Sequence, residues 1–316
     1  MIHRRRNSDE TEDSNYVHHR RKILTLNWKR QPSSVSLLVQ PGLDEFSSQI
    51  DGITQFLARM GMRVEFNKYS TADFIVLVGS DGFNLTVSSL FQDKDTPPIL
   101  SLSPKQPGFI SSLEFSRYEE LIPQIIRGNA WILPRSRLNV EYHSLEGVRR
   151  FTALNDIVVS REHDSGSLAI NCSSSGLAFS QLIGDGVIIA TATGSTAYNK
   201  GAGGALVHPL LPVFLLTPIV ALSLSASPIM LPQSADLIIS LDDTDVRRQS
   251  QSAYLTIDGK GHFPFRTGER VVITLSTNYY NSVLETNSIA EWPVRLANLM
   301  GWNERRHQKP LAPVKT

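Results

Sequence analysis

A chain of 316 residues, 41% hydrophobic and 19% charged, carries enough apolar material for two cored units. Its 31 Lys and Arg against 30 Asp and Glu leave a net charge of +1, which gives no basis for nucleic acid or an anionic membrane as the main partner. The single cysteine, Cys172, excludes an intrachain disulfide, a zinc cluster of cysteines and a Cys-X-X-Cys redox pair, and suits a reducing compartment.

Residues 1–33, with "HRRRNSDETEDSNYVHHRRK", are charged and poor in aliphatics and are expected to form a disordered tail. The acidic "DETED" argues against an organelle transit peptide, so the expected location is the cytoplasm, with the nucleus as the alternative raised by the basic clusters. "SVSLLV", 34–39, begins the order as a strand. Phe46, Ile50, Ile53, Leu57 and Met60 then recur at helical spacing, and Gly61 closes that helix. "RVEF" and "FIVLVG" read as strands, the second apolar throughout and therefore central in a parallel sheet. A helix from about Leu85 to Phe91 and the strand "PILSLS" follow. The alternation predicts a Rossmann-like α/β nucleotide domain over 34–133.

From Pro134 the texture changes to short β-rich segments such as "FTALNDIVVSR", "GVIIATAT" and "RVVITLST", separated by turn residues. They predict an all-β, β-sandwich-like second domain over 134–284. "DG" at 185–186 and 258–259 suits tight hairpins. "LLPVFLLTPIVALSLSASPIMLP" is broken by Pro212, Pro218 and Pro228, and reads as buried strands and turns rather than a membrane span. A last helix is expected around Val294–Leu299, in a C-terminal segment, 285–316, that returns to the first domain and ends flexibly.

Three loops carry candidate chemistry. In "FIVLVGSDGFN" a buried strand runs into Gly79, Ser80, Asp81 and Gly82 ahead of a helix. Ligands of open α/β sheets bind beyond the carboxyl ends of the strands, where glycines let N–H groups approach phosphate and a helix start favours anions. Asp81 suits Mg2+ or a proton from an attacking hydroxyl, although Gly and Asp also suit an ordinary strand-ending turn. In "TALNDIVVSR", Asn155 and Asp156 offer an amide and a carboxylate that match ribose hydroxyls and an adenine edge, a plain strand end being the alternative. In "GDGVIIATATGSTAYNKGAGGALVHP" a strand empties into Thr193, Gly194, Ser195, Thr196, Ala197 and Tyr198, which supply hydroxyls, N–H groups and a flat aromatic face, a merely structural glycine-rich turn being the alternative. Asp185, at the head of that strand, is expected to point a carboxylate into the same neighbourhood. His208 reads as a structural imidazole.

Taken together and in this order, "GSDG", "LNDIVVSR" and "GDGVIIATATGSTAY" resemble the hallmarks of the NAD kinase family. Those are a Gly-Gly-Asp-Gly loop, an Asn-Glu pair, and a Gly-Asp-Gly strand leading into Thr-Gly-Ser-Thr-Ala-Tyr; "GALVHP", "YLTIDGK" and "GWNERRHQ" add support. The resemblance implies transfer of the γ-phosphoryl group of ATP, with Mg2+, to the 2′-hydroxyl of the adenosine ribose of NAD+, giving NADP+. It implies that Asp81 orients or deprotonates that hydroxyl and is the one candidate protein ligand for Mg2+. Asn155 and Asp156 would hold the adenosine half, with Asp185, Thr196, Ala197 and Tyr198 completing the pocket. A homodimer or homotetramer is implied, neighbouring subunits adding to the NAD pocket.

Three departures stand out. Ser80 replaces the second loop glycine, which costs roughly 1–2 kcal/mol if the position requires φ > 0. Asp156 replaces Glu. "PKQPGF", 104–109, replaces a Gly-Ser-Leu-Gly-Phe type of loop and brings Lys105 and Pro107 toward the pocket. They motivate an alternative, a catalytically impaired NAD(P)-binding paralogue that regulates an active partner subunit. A lipid or sugar kinase of the same superfamily would explain "GSDG" but not "TGSTAY".

Overall fold

Two apolar periodicities sort the chain into two kinds of structure. The computed structural model describes residues 22–69, 72–163, 165–223, 225–242, 244 and 251–304; residues 1–21 of the expected tail and the end of the C-terminal segment lie outside the described residues. In chain order the first elements are β1 (Leu24–Thr25), β2 (Ser34–Val39), α1 (Ser47–Arg59), β3 (Arg63–Phe66), β4 (Phe74–Val78), α2 (Asp81–Ser88), β5 (Ile99–Ser103), β6 (Leu113–Glu114), α3 (Tyr118–Ile126) and β7 (Trp131–Arg135). There follow β8 (Leu138–Ser144), β9 (Gly147–Ala153), β10 (Asp156–Arg161), β11 (Leu168–Ser174), β12 (Leu177–Gly184), β13 (Gly186–Thr191), α4 (Tyr198–Gly201), β14 (Val213–Ile219) and β15 (Ile229–Pro232). Last come β16 (Asp236–Leu241), β17 (Ala253–Ile257), β18 (Lys260–Phe265), β19 (Arg270–Leu275), β20 (Tyr280–Leu284) and α5 (Glu291–Leu299).

The first sheet runs β1-β7-β20-β5-β4-β2-β3, with β6 paired to β5. Its centre is parallel, and β7 and β1 are antiparallel additions. From β2 the chain passes through α1 to β3 on one side, then crosses to β4 on the other. Strand order therefore reverses between β2 and β4, and such a switch point opens a crevice at the carboxyl ends. The loop after β4 is Gly79–Gly82. β4 is buried along its whole length, as a central parallel strand must be. Ile53 and Leu57 of α1 and Leu121, Ile122 and Ile125 of α3 cover one face, while Val87 of α2 and Phe91 meet Leu38, Ile75 and Leu77 on the other.

Several expectations change here. Residues 22–33 belong to the fold rather than to a tail: β1 pairs with β7, Leu26 is 1% exposed, and Trp28 Nε1 donates to the Ile125 carbonyl at 2.6 Å. Alternating Leu24, Leu26 and Trp28 supply the apolar side that docks this edge. The helix expected at Leu85–Phe91 starts four residues earlier, at Asp81, because Ser80 takes the extended N-cap conformation, and an acid in the first turn suits the helix dipole. The C-terminal helix starts at Glu291, with Pro293 in the first turn, where proline is tolerated.

The rest of the chain forms two antiparallel six-stranded sheets, ordered β15-β14-β13-β10-β17-β18 and β12-β11-β16-β19-β8-β9. Their facing residues, among them Val140, Ile157, Ile170, Val187, Leu216, Ile239 and Ile273, make one core. Asp258 and Gly259 form a two-residue hairpin turn with φ of 50° and 68°, as an Asp-Gly turn of type I′ requires. Asp185-Gly186 is not a hairpin: β12 and β13 lie in different sheets, and a Cβ on Gly186 would stand 2.2 Å from the Val159 carbonyl oxygen. β13 is buried on both faces because Ala192, Ala202 and Val207 fold across its outer side against Ile188 and Ala190. β20 lies inside the 134–284 span yet pairs with β7 and β5 of the first sheet. Leu154 likewise inserts beside α2 in the core of the first sheet, which locks the two parts together at the junction. Among the described residues no helix is long and apolar enough to cross a membrane.

Candidate active site

The turn from β4 into α2 is shaped by close approach. A Cβ on Gly79 would come within 2.9 Å of both Gln40 Oε1 and Phe83 Cδ1. Ser80 sits at φ −85°, so serine costs no backbone strain there, and the feared penalty does not arise. Its N–H and its hydroxyl both donate to Gln40 Oε1 at 2.9 Å.

Asp81 faces three consecutive backbone donors. Its Oδ2 accepts from Phe109 N–H at 2.8 Å, and its Oδ1 from Ile110 and Ser111 N–H at 3.0 and 2.8 Å. Such a nest of N–H groups holds a carboxylate through charge-assisted bonds. The loop can close on the carboxylate only with glycine at 108, since a Cβ there would lie 2.5 Å from Asp81 Oδ1. Below it, Asn84 donates to the Ser80 carbonyl at 3.0 Å and to Ser111 Oγ at 2.7 Å, and receives the Tyr280 hydroxyl hydrogen bond. Lys105 turns outward to Glu45 at 3.1 Å; with 70% and 60% of the two side chains exposed, that pair adds little stability.

The second corner is built from the sandwich. The Asp258 carboxylate accepts N–H bonds from Leu154, Asn155 and Asp156 at 2.9, 2.7 and 3.2 Å, and so fixes the Asn-Asp pair. Burial, with Asp258 alongside, pushes Asp156 up to about 7. Burial also raises Asp258, to about 6, against the pull of its three N–H donors. Gly194 rests directly on Asn155, where a Cβ would be 2.1 Å from the carbonyl oxygen. The Ser195 hydroxyl donates to the Val207 carbonyl and accepts the Val207 N–H, a structural tie. The Thr196 hydroxyl folds back onto the Thr193 carbonyl at 3.2 Å. Ala197 is exposed, and Tyr198 stands 49% exposed at the rim.

Asn155, Asp156 and Thr193–Tyr198 are thus brought together, whereas Asp185 is not. It lies at the opposite end of β13, about 20 Å away by strand rise, where Arg161 Nε bonds it at 2.9 Å. The expectation that it shares their neighbourhood fails within one protomer, because the whole length of the strand intervenes.

What joins the two corners is Arg135, 3% exposed. It donates to Ser282 Oγ at 2.8 Å, to the Phe109 carbonyl at 3.2 Å and to Thr193 Oγ1 at 3.4 Å. Asp81, Phe109, Arg135 and Thr193 therefore form one hydrogen-bonded line from the switch-point loop to the glycine-rich corner. Burial pulls Arg135 down to about 10, and the negative charge of Asp81 opposes that fall. His208 is also held below its ordinary value by burial and by Arg135, and packs edge-on against Trp292 at 5.2 Å. In the sequence Arg135 is signalled only by an arginine ending the otherwise apolar "WILPR". Arg137, fully buried, is no better announced. It donates to the carbonyls of Phe91 and Lys94 at 2.6 and 2.5 Å, just beyond the C-terminal end of α2. Among the described residues no cluster of three or more His, Cys, Asp or Glu could hold a metal.

The fold defines a class: an α/β unit with a switch-point loop, tied through a buried arginine to the corner of an antiparallel sandwich. The chain belongs to the ATP-NAD kinase family, since residues 17–130 match its N-terminal domain and residues 154–284 its C-terminal domain. It is 32% identical over 308 residues to the probable NAD kinase 2, chloroplastic, of Oryza sativa subsp. japonica, covering 95% of this chain and 30% of that protein. The chain thus spans less than a third of that relative's length. It is 30% identical over 217 residues to an NAD kinase of Clostridium kluyveri, covering 69% of this chain and 75% of the relative. The crystal structure of yeast NADH kinase complexed with NADH shares the fold, with a TM-score of 0.82 at 22% identity over 94% of each chain.

Proposed function

We propose that the chain is an NAD kinase, transferring the γ-phosphoryl group of Mg·ATP to the 2′-hydroxyl of the adenosine ribose of NAD+ to give NADP+. The observation that carries this reading is the line Asp81–Phe109–Arg135–Thr193, which fixes a phosphate-type loop against a polar corner. Phosphoryl transfer asks chiefly for alignment and charge neutralisation. In this reading Gly79, Ser80 and Gly82 meet the donor phosphates, Asn155 and Asp156 hold the adenosine half, and Thr193, Gly194, Ser195, Thr196, Ala197 and Tyr198 line the dinucleotide pocket. A carboxylate offers about four lone-pair sites. Three of those on Asp81 accept N–H groups, so one is left to orient the 2′-hydroxyl. The same occupancy leaves Asp81 poorly suited to hold a resident ion, and Mg2+ enters with the phosphates of ATP as part of the substrate.

Exposed Tyr198 and distant Asp185 would complete a pocket only through a neighbouring copy, which supports the homodimer or homotetramer; sedimentation of the pure protein tests it. The cytoplasm is the proposed compartment, to be checked by fractionation. The regulatory paralogue stands second: of the three departures that motivated it, Ser80 carries no backbone strain and Lys105 turns outward to Glu45, which leaves Asp156 in place of Glu.

The deciding experiment incubates the protein with Mg·ATP and either NAD+ or NADH and quantifies NADP+ or NADPH. Product from the wild type and none from Asp81→Ala supports the reading. No product despite measurable dinucleotide binding moves the conclusion to the regulatory paralogue.

A further inference from the structure

The crevice at the β2/β4 switch point has a volume of about 580 Å3 and is lined by Gln40, Asn67, Tyr69, Ser80, Phe83 and Thr86, among others. Its polar floor is one side chain folded over one residue. Gln40 follows directly on β2, and its Oε1 gathers two donors, the N–H and the hydroxyl of Ser80, both at 2.9 Å. Two donors converging at the cap of α2, inside an open crevice, define one acceptor position. An anionic oxygen would be favoured there by both donors and by the helix dipole. Gln40 is neutral, half-buried, and bonded to an exposed residue, so its two hydrogen bonds contribute little net. Bonds from the same donors to a phosphate oxygen are roughly twice as strong.

We propose that Gln40 sets the affinity of this crevice for the phosphate donor, by occupying the acceptor position on Ser80 that a phosphate oxygen of the nucleoside triphosphate takes on binding. The proposal rests on the kinase reading and goes beyond it. It assigns a competitor within the chain for the donor site, and it gives serine at 80 a purpose, since glycine there would leave one of the two bonds unmade. Donor binding swings Gln40 aside by side-chain rotation alone, leaving β2 in place.

Titration calorimetry with Mg·ATP, in the absence of NAD+, separates this claim from the larger one. Gln40→Ala is expected to bind Mg·ATP about three- to tenfold more tightly, the scale of two exposed neutral hydrogen bonds. Ser80→Gly removes the hydroxyl from both states, and because its bond to phosphate is the stronger one, the variant should bind about two- to fivefold more weakly. Gln40→Glu should weaken it more than about tenfold, and the loss should shrink as salt is raised, because a carboxylate both holds Ser80 and repels phosphate. Thermal melts of each variant check the fold. Unchanged or weaker binding by folded Gln40→Ala overturns the proposal and makes Gln40 a cap of α2 or a direct ligand. Failure of the wild type to bind Mg·ATP at all overturns the kinase reading instead.

Discussion

Replacing Gly108 by alanine perturbs the site from a residue that has no side chain of its own. The added Cβ would stand 2.5 Å from Asp81 Oδ1 and 2.7 Å from its Cγ and Oδ2, contacts far inside van der Waals range. Gly108 is not among the residues of positive φ, so alanine suits the backbone and the collision is the whole effect. α2 cannot retreat easily, because Asn84 ties its first turn to Ser111 and Tyr280. The carboxylate must therefore leave its three N–H donors. Hydrogen bonds to a charged group contribute about 1.5–3 kcal/mol each, and water recovers part of that. A net loss of about 3–4 kcal/mol of alignment corresponds to a fall in kcat/KM of about 10²–10³-fold. The assay is NADP+ formation at saturating Mg·ATP with NAD+ varied, alongside a thermal melt. A folded Gly108→Ala protein with wild-type kcat/KM would refute the nest as a functional device.

Arg135→Met should lower both the melting temperature and NADP+ formation, and a double-mutant cycle with Thr193→Val should return a coupling of about 0.5–3 kcal/mol; strictly additive effects would break the proposed line. Asp156 lies at about 7 in the folded chain against an ordinary 3.8, so the stability it contributes is full below that ordinary value and is lost as pH rises through 7. Asp156→Asn should accordingly melt above the wild type at about pH 8, with the gap narrowed at about pH 5 and closed only near about pH 4; an equal gap at pH 8 and pH 5 contradicts the assignment. Asp258→Asn disturbs the acceptor that fixes Asn155 and Asp156, so KM for NAD+ should rise severalfold while kcat changes less. An unchanged KM would show that the Asn-Asp pair does not need this anchor.

Much of the first sheet was legible because its elements obey local rules. β2, α1 and β4 follow from strand-length apolar runs and helical spacing, and Gly61, at φ 78°, ends α1 as expected. The two polar loops were legible as loops, because a buried strand that empties into glycines and hydroxyls has to turn there. What stayed hidden depends on partners distant in sequence. Arg135 draws its acceptors from residues 109, 193 and 282, and nothing near it announces them. Asp185 seemed close to Thr196 because the sequence shows adjacency and not the length of β13. β1 was masked by the charged residues around it, although Leu24 and, just beyond the strand, Leu26 carry the docking surface. The harmless φ of Ser80 is a property of the turn, which no composition argument reaches.

Phosphorus NMR of the product made from NAD+ and Mg·ATP tests the central claim most directly. A kinase built on Asp81 gives a single new phosphomonoester, coupled to the proton on the 2′ carbon of the adenosine ribose, formed by the wild type and missing with Asp81→Ala. A phosphomonoester on any other hydroxyl, or equal product from the variant, would contradict that claim.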